Sequence, residues 1–215
     1  MTTSSNDAAF WSKTSRKYAA SPIRDLDGYN NTLARTKSYL GHDDAVLEIG
    51  CGTGSTAFLL APFVGHITAT DFSPGMIDIA KEKLAAEALG NVTFKVEDVL
   101  EYSSDNGPFD AVLAHNLLHL LRDLDSALSR ISSMTKTGGI FISKTVCAPQ
   151  KGQLKYWILS KVVIPGIQAV GKAPFVDFLP PQDLDQKIVT AGFEILETID
   201  QVGMLPSRYI VARKL

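Results

Sequence analysis

The sequence predicts an α/β fold: a doubly wound, mostly parallel sheet with helices on both faces. Three observations carry that prediction. Apolar β-branched runs alternate with helix-periodic stretches five times between residues 45 and 145. The first of these runs, Val46-Leu47-Glu48-Ile49, passes directly into Gly50-Cys51-Gly52-Thr53-Gly54, a strand feeding a glycine-rich loop and then a helix. The last two runs, Phe193 to Ile199 and Ser207 to Ala212, are joined by a link too short for a crossover helix, so they pair antiparallel. Right-handed crossovers place the helices on both sides of such a sheet.

Taken in order, Phe10 to Ala20 and Tyr29 to Leu40 read as two helices separated by Ser21-Pro22-Ile23, with Gly41 as a stop. Trp11, Tyr18 and Tyr29 concentrate aromatic surface in this region; packing is favoured for Trp11, while Tyr18 is equally a candidate for facing a ligand. The strand Ala45 to Ile49 is followed by a helix over Thr53 to Phe63 and a second strand, His66 to Asp71, ending on a carboxylate. Ser73 suits an N-cap and Pro74 the first helical position. Ile77, Ala80 and Leu84 then form an apolar stripe that ends by Gly90. Val92 to Val96 is a third strand and Phe109 to Ala114 a fourth. Asp123 leads a helix carrying Leu124, Leu128 and Ile131, which Gly138-Gly139 turns into a fifth strand, Ile140 to Thr145. A helix from Pro181 to Ala191 precedes the terminal pair.

At 215 residues, with 45% hydrophobic and 20% charged residues, the chain fits one domain spanning 1–215. Within it, residues 1–43 form an N-terminal helical cap and 146–181 a variable segment. A net charge of −2 gives no general attraction to nucleic acid. Cys51 and Cys147 have no metal-ligand spacing, so no metal is expected, and a free thiol in the glycine loop suits a reducing cytoplasm. The polar start lacks a signal-peptide core, and no apolar run is long enough to span a bilayer.

The loop narrows the chemistry. Glycines at every second position admit positive φ and let a ligand approach the backbone, and the helix beyond aims free N–H groups at the same space. Dinucleotide-binding loops are spaced G-x-G-x-x-G; this one is G-x-G-x-G, with Glu48 two residues before the first glycine. An ordinary glycine-rich turn would also satisfy the spacing. The pattern resembles motif I of the class I S-adenosylmethionine-dependent methyltransferases, written [DE]-x-G-x-G-x-G. From about Asp44 to Leu215 the architecture is similar to their small-molecule branch, the group containing the ubiquinone and menaquinone C-methyltransferases. The resemblance implies a Rossmann-like seven-stranded sheet of order 3-2-1-4-5-7-6, with strand seven reversed.

Ligands of open α/β sheets lie beyond the carboxyl ends of the strands, where the strand order reverses. The glycine loop, Asp71, Asp98 and His115-Asn116 all fall at such ends. Asp71 can accept two hydrogen bonds from a ribose diol. The resemblance implies a cofactor site of Tyr18, Glu48, Gly50, Cys51, Gly52, Gly54, Asp71, Phe72, Met76, Asp98, Val99, His115 and Asn116. In it Phe72 and Met76 lie against adenine and Asp98-Val99 meet its amino group and ring edge. Asp98 reads equally as a turn aspartate. His115 and His119 are weak candidates for a catalytic base, and no carboxylate partner for either is identifiable; packing or pocket lining suits His119 better.

The implied reaction is methyl transfer from S-adenosyl-L-methionine, with S-adenosyl-L-homocysteine as product, to a small, apolar or aromatic acceptor by in-line displacement. No Asn-Pro-Pro-Tyr loop is present, which argues against nucleobase or protein amide acceptors. A cofactor-binding sensor or subunit without transfer is the alternative, and the spacing disfavours a nicotinamide oxidoreductase. The apolar stretch Leu154 to Val170, interspersed with lysines, reads as a lid over the acceptor, an oligomer interface or a peripheral membrane contact. Monomer and homodimer both remain open.

Overall fold

A computed structural model describes residues 3–87, 89–102, 107–149, 163–169, 173–201 and 206–215. Two N-terminal helices, α1 (Thr3–Ala20) and α2 (Leu26–Lys37), precede the first strand. Then come β1 (Ala45–Ile49), α3 (Ser55–Leu60), β2 (His66–Asp71), α4 (Pro74–Ala86), β3 (Val92–Val96), β4 (Phe109–His115), α5 (Leu124–Met134) and β5 (Thr135–Val146). A short helix α6 (Ile164–Ala169), then α7 (Pro181–Thr190), β6 (Phe193–Gln201) and β7 (Ser207–Lys214), complete the chain.

The seven strands form one sheet of order β3-β2-β1-β4-β5-β7-β6. Strands β1 to β5 are parallel, and β7 runs antiparallel to both its neighbours, β5 and β6. This is the expected Rossmann-like order with strand seven reversed.

Strand side chains alternate faces, and the sheet is covered on both. Leu47, Val112, Ala114, Phe141, Ile210 and Ala212 point into one core, where they meet Leu128 and Ile131 of α5 and Leu184 and Ile188 of α7. Their strand neighbours Val46, Ala111, Leu113, Ile142 and Val211 point into the other, against Ala57 and Leu60 of α3 and Ile77 and Ala80 of α4. A one-residue slip of any central strand would exchange its two sets.

Local chemistry sets the boundaries. Pro62 converts the end of α3 into a 3₁₀ turn over Ala61–Phe63. Ser73 caps α4, its Oγ accepting from Met76 N at 3.3 Å, with Pro74 in the first turn. Asp123 caps α5 through Ser126 N at 3.1 Å. Several boundaries differ from expectation. Helix α1 begins at Thr3 rather than Phe10, because its polar first turns need no buried face. Helix α2 starts at Leu26, where Asp25 accepts from Gly28 N, and it ends at Lys37 with Ser38 as its C-cap, before Gly41. Strand β5 begins at Thr135, with Gly138 (φ 78°) inside a bulge where Phe109 and Ala111 on β4 face Thr135 and Ile140. Most of the predicted apolar stretch from Leu154 lies outside the described residues; of it, α6 is described. No helix among the described residues is long and apolar enough to cross a membrane.

Candidate active site

A cavity of about 730 Å³ opens above the carboxyl ends of β1, β2, β4 and β5, within the usual range for small-molecule sites. Its floor is the loop after β1. Gly50, Gly52 and Gly54 all have positive φ (66°, 54° and 79°), so the chain turns where side chains would be strained. The three glycines serve different neighbours. A Cβ on Gly50 would come within 2.6 Å of Leu117, and one on Gly54 within 2.6 Å of the Phe94 ring. At Gly52 the nearest atom would be Tyr18 Cε1 at 3.8 Å, so the space above this glycine is open to the cavity. Gly54 does not line the cavity; it precedes α3, whose Phe58 packs against Phe94 of β3.

Asp71 ends β2 with both oxygens engaged: Oδ2 accepts from Gly52 N and Oδ1 from Ser73 N, each at 2.9 Å. One carboxylate thus ties the glycine loop to the start of α4. Burial raises its pKa to about 6, against the two N–H donors, which pull it down. Glu48 is buried at 3% exposure, and its Oε2 has no hydrogen-bond partner. Burial first, and then the neighbouring Asp71 charge, push its pKa up to about 8. A buried carboxyl oxygen left without a donor is costly, and a cationic group in the cavity would satisfy it.

Of the expected site residues, Tyr18, Glu48, Gly50, Cys51, Gly52, Asp71, Phe72, Met76, Asp98, Val99, His115 and Asn116 line this one cavity. Asp98 also accepts from Leu100 N at 3.0 Å, so it serves the turn as well. Asn116 has a left-handed backbone (φ 55°) and donates its N–H to Lys144 O at 2.7 Å, which bends the chain away from β4. His115 Nε2 lies 3.3 Å from Thr36 Oγ1, and burial lowers its pKa to about 4, so the ring is neutral near pH 7. His119 does not line the cavity: its Nδ1 is buried and unpartnered, and its carbonyl accepts from Asp177 N.

The structure adds residues that the sequence did not single out. Helix α1 roofs the cavity: Ser12 Oγ is 2.9 Å from Ser73 Oγ, and Trp11, read as a packing residue, lines the cavity and meets Tyr18 edge-on. Tyr18 is 54% exposed, yet Asp71 and Glu48 are near enough to raise its pKa, after burial as the larger cause. Asp7 pairs with Arg122 at 2.9 Å, and the Arg122 guanidinium sits 4.4 Å over the Phe175 ring, closing one side. Lys144, near the end of β5, also faces in. Asp7, Ser12, Arg122 and Lys144 had no signature, because each is placed by tertiary packing.

This sheet order, with a glycine loop after β1 and a carboxylate at the end of β2, defines a Rossmann-like methyltransferase fold. Residues 46–139 match the family described as "Methyltransferase domain". The chain is 26% identical over 152 residues to a protein named ubiquinone biosynthesis O-methyltransferase of Coxiella burnetii, covering 71% of this chain and 64% of that protein. It is 34% identical over 119 residues to magnesium-protoporphyrin O-methyltransferase of Rhodobacter capsulatus, covering 54% of this chain and 51% of the relative. The fold superposes with a TM-score of 0.69 on the N-methyltransferase NodS from Bradyrhizobium japonicum in complex with S-adenosyl-L-homocysteine, at 18% identity and covering 95% and 98% of the two chains. The chain thus matches a methyltransferase domain over residues 46–139 and is similar in sequence and fold to the class I S-adenosylmethionine-dependent methyltransferases. It spans about two thirds or less of the length of these curated relatives.

The family's cofactor is S-adenosyl-L-methionine, and the donor set fits it. Glu48 leaves a buried acceptor for an ammonium, and the open space over Gly52 admits a ligand against the backbone. Among the described residues no cluster of His, Cys, Asp or Glu is arranged to hold a metal.

Proposed function

We propose that this chain transfers a methyl group from S-adenosyl-L-methionine to a small, apolar or aromatic acceptor. The observation that carries the reading is the convergence of Glu48, Asp71, Asp98 and His115 on one cavity over an open glycine loop. Bound there, the cofactor supplies a sulfonium methyl group open to in-line displacement. Glu48 Oε2 takes the ammonium of its amino-acid end. Gly50, Cys51 and Gly52 give that end backbone contact, and Asn116 and His115 close it from β4. Asp71 accepts the ribose hydroxyls on lone pairs not used by Gly52 and Ser73. Phe72, Met76 and Val99 would hold the adenine and Asp98 its amino group, with Tyr18 facing the same cavity.

The protein's contribution is mostly position. Well-oriented reactants gain roughly 7–11 kcal/mol over free encounter, so a cleft without a strong base can still perform this chemistry. Neutral His115 can take a proton from an acidic acceptor. The chain acts as one domain over 1–215, and we assign it to the cytoplasm, where Cys51 and Cys147 stay free.

The alternative is a binding protein without transfer. Calorimetric titration with S-adenosyl-L-homocysteine tests the site, and incubation with labelled S-adenosyl-L-methionine and a metabolite extract tests transfer. Binding of NAD in place of either sulfur compound would overturn the assignment; binding without label transfer to any extract component would favour the sensor.

A further inference from the structure

Three basic residues among those described line the cavity, Arg24, Arg122 and Lys144, and they are not equivalent: Arg24 is solvent-exposed and already engaged. Arg122 is already paired with Asp7 and packed on Phe175. Lys144 has a different setting. It lies near the carboxyl end of β5, directly beside His115 on β4 and Tyr209 on β7. Its Nζ donates to Thr32 Oγ1 at 3.2 Å, and this is its one hydrogen-bond partner among the described residues. The Thr32 hydroxyl is itself committed, donating to Gly28 O at 2.7 Å while also accepting from Gln201 Nε2 at 3.3 Å. No carboxylate among the described residues lies within ion-pair distance of Lys144. Burial lowers its pKa, opposed weakly by Asp25.

A half-buried ammonium with one neutral partner still has two N–H donors to satisfy. Keeping a charge out of water without a counter-ion is unfavourable, and the deficit closes when an anion arrives. The cavity that Lys144 lines also has apolar members, among them Leu33, Leu117 and Pro174. His115, neutral and held by Thr36, offers no competing negative charge.

We infer that Lys144 is the anion-binding group of the acceptor subsite, so that the methyl acceptor is an apolar molecule carrying an oxyanion, a carboxylate or an ionised hydroxyl. This rests on the methyltransferase reading above. It narrows the substrate class from small apolar molecules to small apolar acids, and it makes Lys144 the residue that sets specificity. The carboxylate of the cofactor has the same chemistry as such an oxyanion, so the test must separate the two.

The probes are 2-naphthoate and its neutral isostere 2-naphthamide, titrated by calorimetry into protein saturated with S-adenosyl-L-homocysteine. The wild type is expected to prefer the anion by about tenfold or more, as a charge-assisted hydrogen bond gives. Lys144→Met should abolish that preference while leaving S-adenosyl-L-homocysteine affinity unchanged, and Lys144→Arg should restore it in part. Equal binding of the two probes by the wild type overturns the inference, with no variant needed. So does a preference that survives in Lys144→Met, or a matching loss of S-adenosyl-L-homocysteine affinity, which would assign Lys144 to the cofactor's carboxylate. Failure of the wild type to bind S-adenosyl-L-homocysteine at all would instead sink the methyltransferase reading, and this inference with it.

Discussion

Replacing Glu48 by glutamine should stabilise the ligand-free protein at alkaline pH while damaging its site. The Glu48 carboxyl is buried, has one oxygen without a partner and is displaced from 4.5 to about 8. The folded state therefore holds this proton more tightly than the unfolded chain does. Between those two values the native protein binds more protons, so stability falls as pH rises through the window and levels off above it. From about pH 5 to pH 8 that amounts to roughly 3–4 kcal/mol lost by the wild type. Glutamine keeps the shape and cannot ionise. Denaturant melts of both proteins at a series of pH values should therefore diverge above about pH 6, with the variant the more stable, and converge near pH 5. Parallel profiles would refute the protonated, buried carboxyl. The same variant should bind S-adenosyl-L-homocysteine more weakly, because the ammonium loses its counter-charge. Wild-type binding near pH 7 should release protons, visible as a calorimetric enthalpy that changes with the buffer's heat of ionisation.

Other expectations follow from the same contacts. Asp71→Ala should weaken S-adenosyl-L-homocysteine binding by about 1–3 kcal/mol, read by titration, and unchanged affinity would remove Asp71 from the site. Gly54→Ala and Gly52→Ala should separate fold from ligand. The first drives a methyl into the Phe94 ring and should cost about 2 kcal/mol or more in a melt; the second meets open space and should cost about 1–2 kcal/mol, while blocking ligand approach. Leu128→Ala should lower stability by about 2–5 kcal/mol with little change in S-adenosyl-L-homocysteine affinity, because that side chain is buried between α5 and the sheet, away from the cavity.

Much of the fold was legible because its signals are local. The strands at His66–Asp71 and Val92–Val96 and the capped start of α4 at Ser73-Pro74 lie where period and cap chemistry put them. The order of the sheet came from the resemblance, since nothing in the spacing of five parallel strands fixes which neighbours which. The site was readable where a motif ended a strand. It was silent where a residue reaches the cavity only through packing. Trp11 looked like a core aromatic, and Asp7 and Arg122 are 115 positions apart. Lys144 is one of two lysines in β5, and nothing in the strand's pattern sets it apart from Lys136. Gly54 was placed in the site by its motif, yet its requirement comes from Phe94 on a strand that no local rule connects to it.

Helix α1 fastens over the cleft with little burial. Among its residues with a burial assignment only Ser15 is buried, and its ties include the Ser12 hydroxyl's contacts with Ser73 Oγ and Gly75 N and the ion pairs Asp7–Arg122 and Arg16–Glu82. Solvent-facing pairs of this kind contribute about 0–1 kcal/mol each and fade as salt shortens the Debye length. The sheet beneath is held by apolar contact, which salt does not weaken. Ionic strength therefore acts on the roof without acting on the floor. Stopped-flow measurements should find ligand exchange quickening with added salt at constant melting temperature, so that the ionic environment, rather than sheet stability, sets how long a ligand stays.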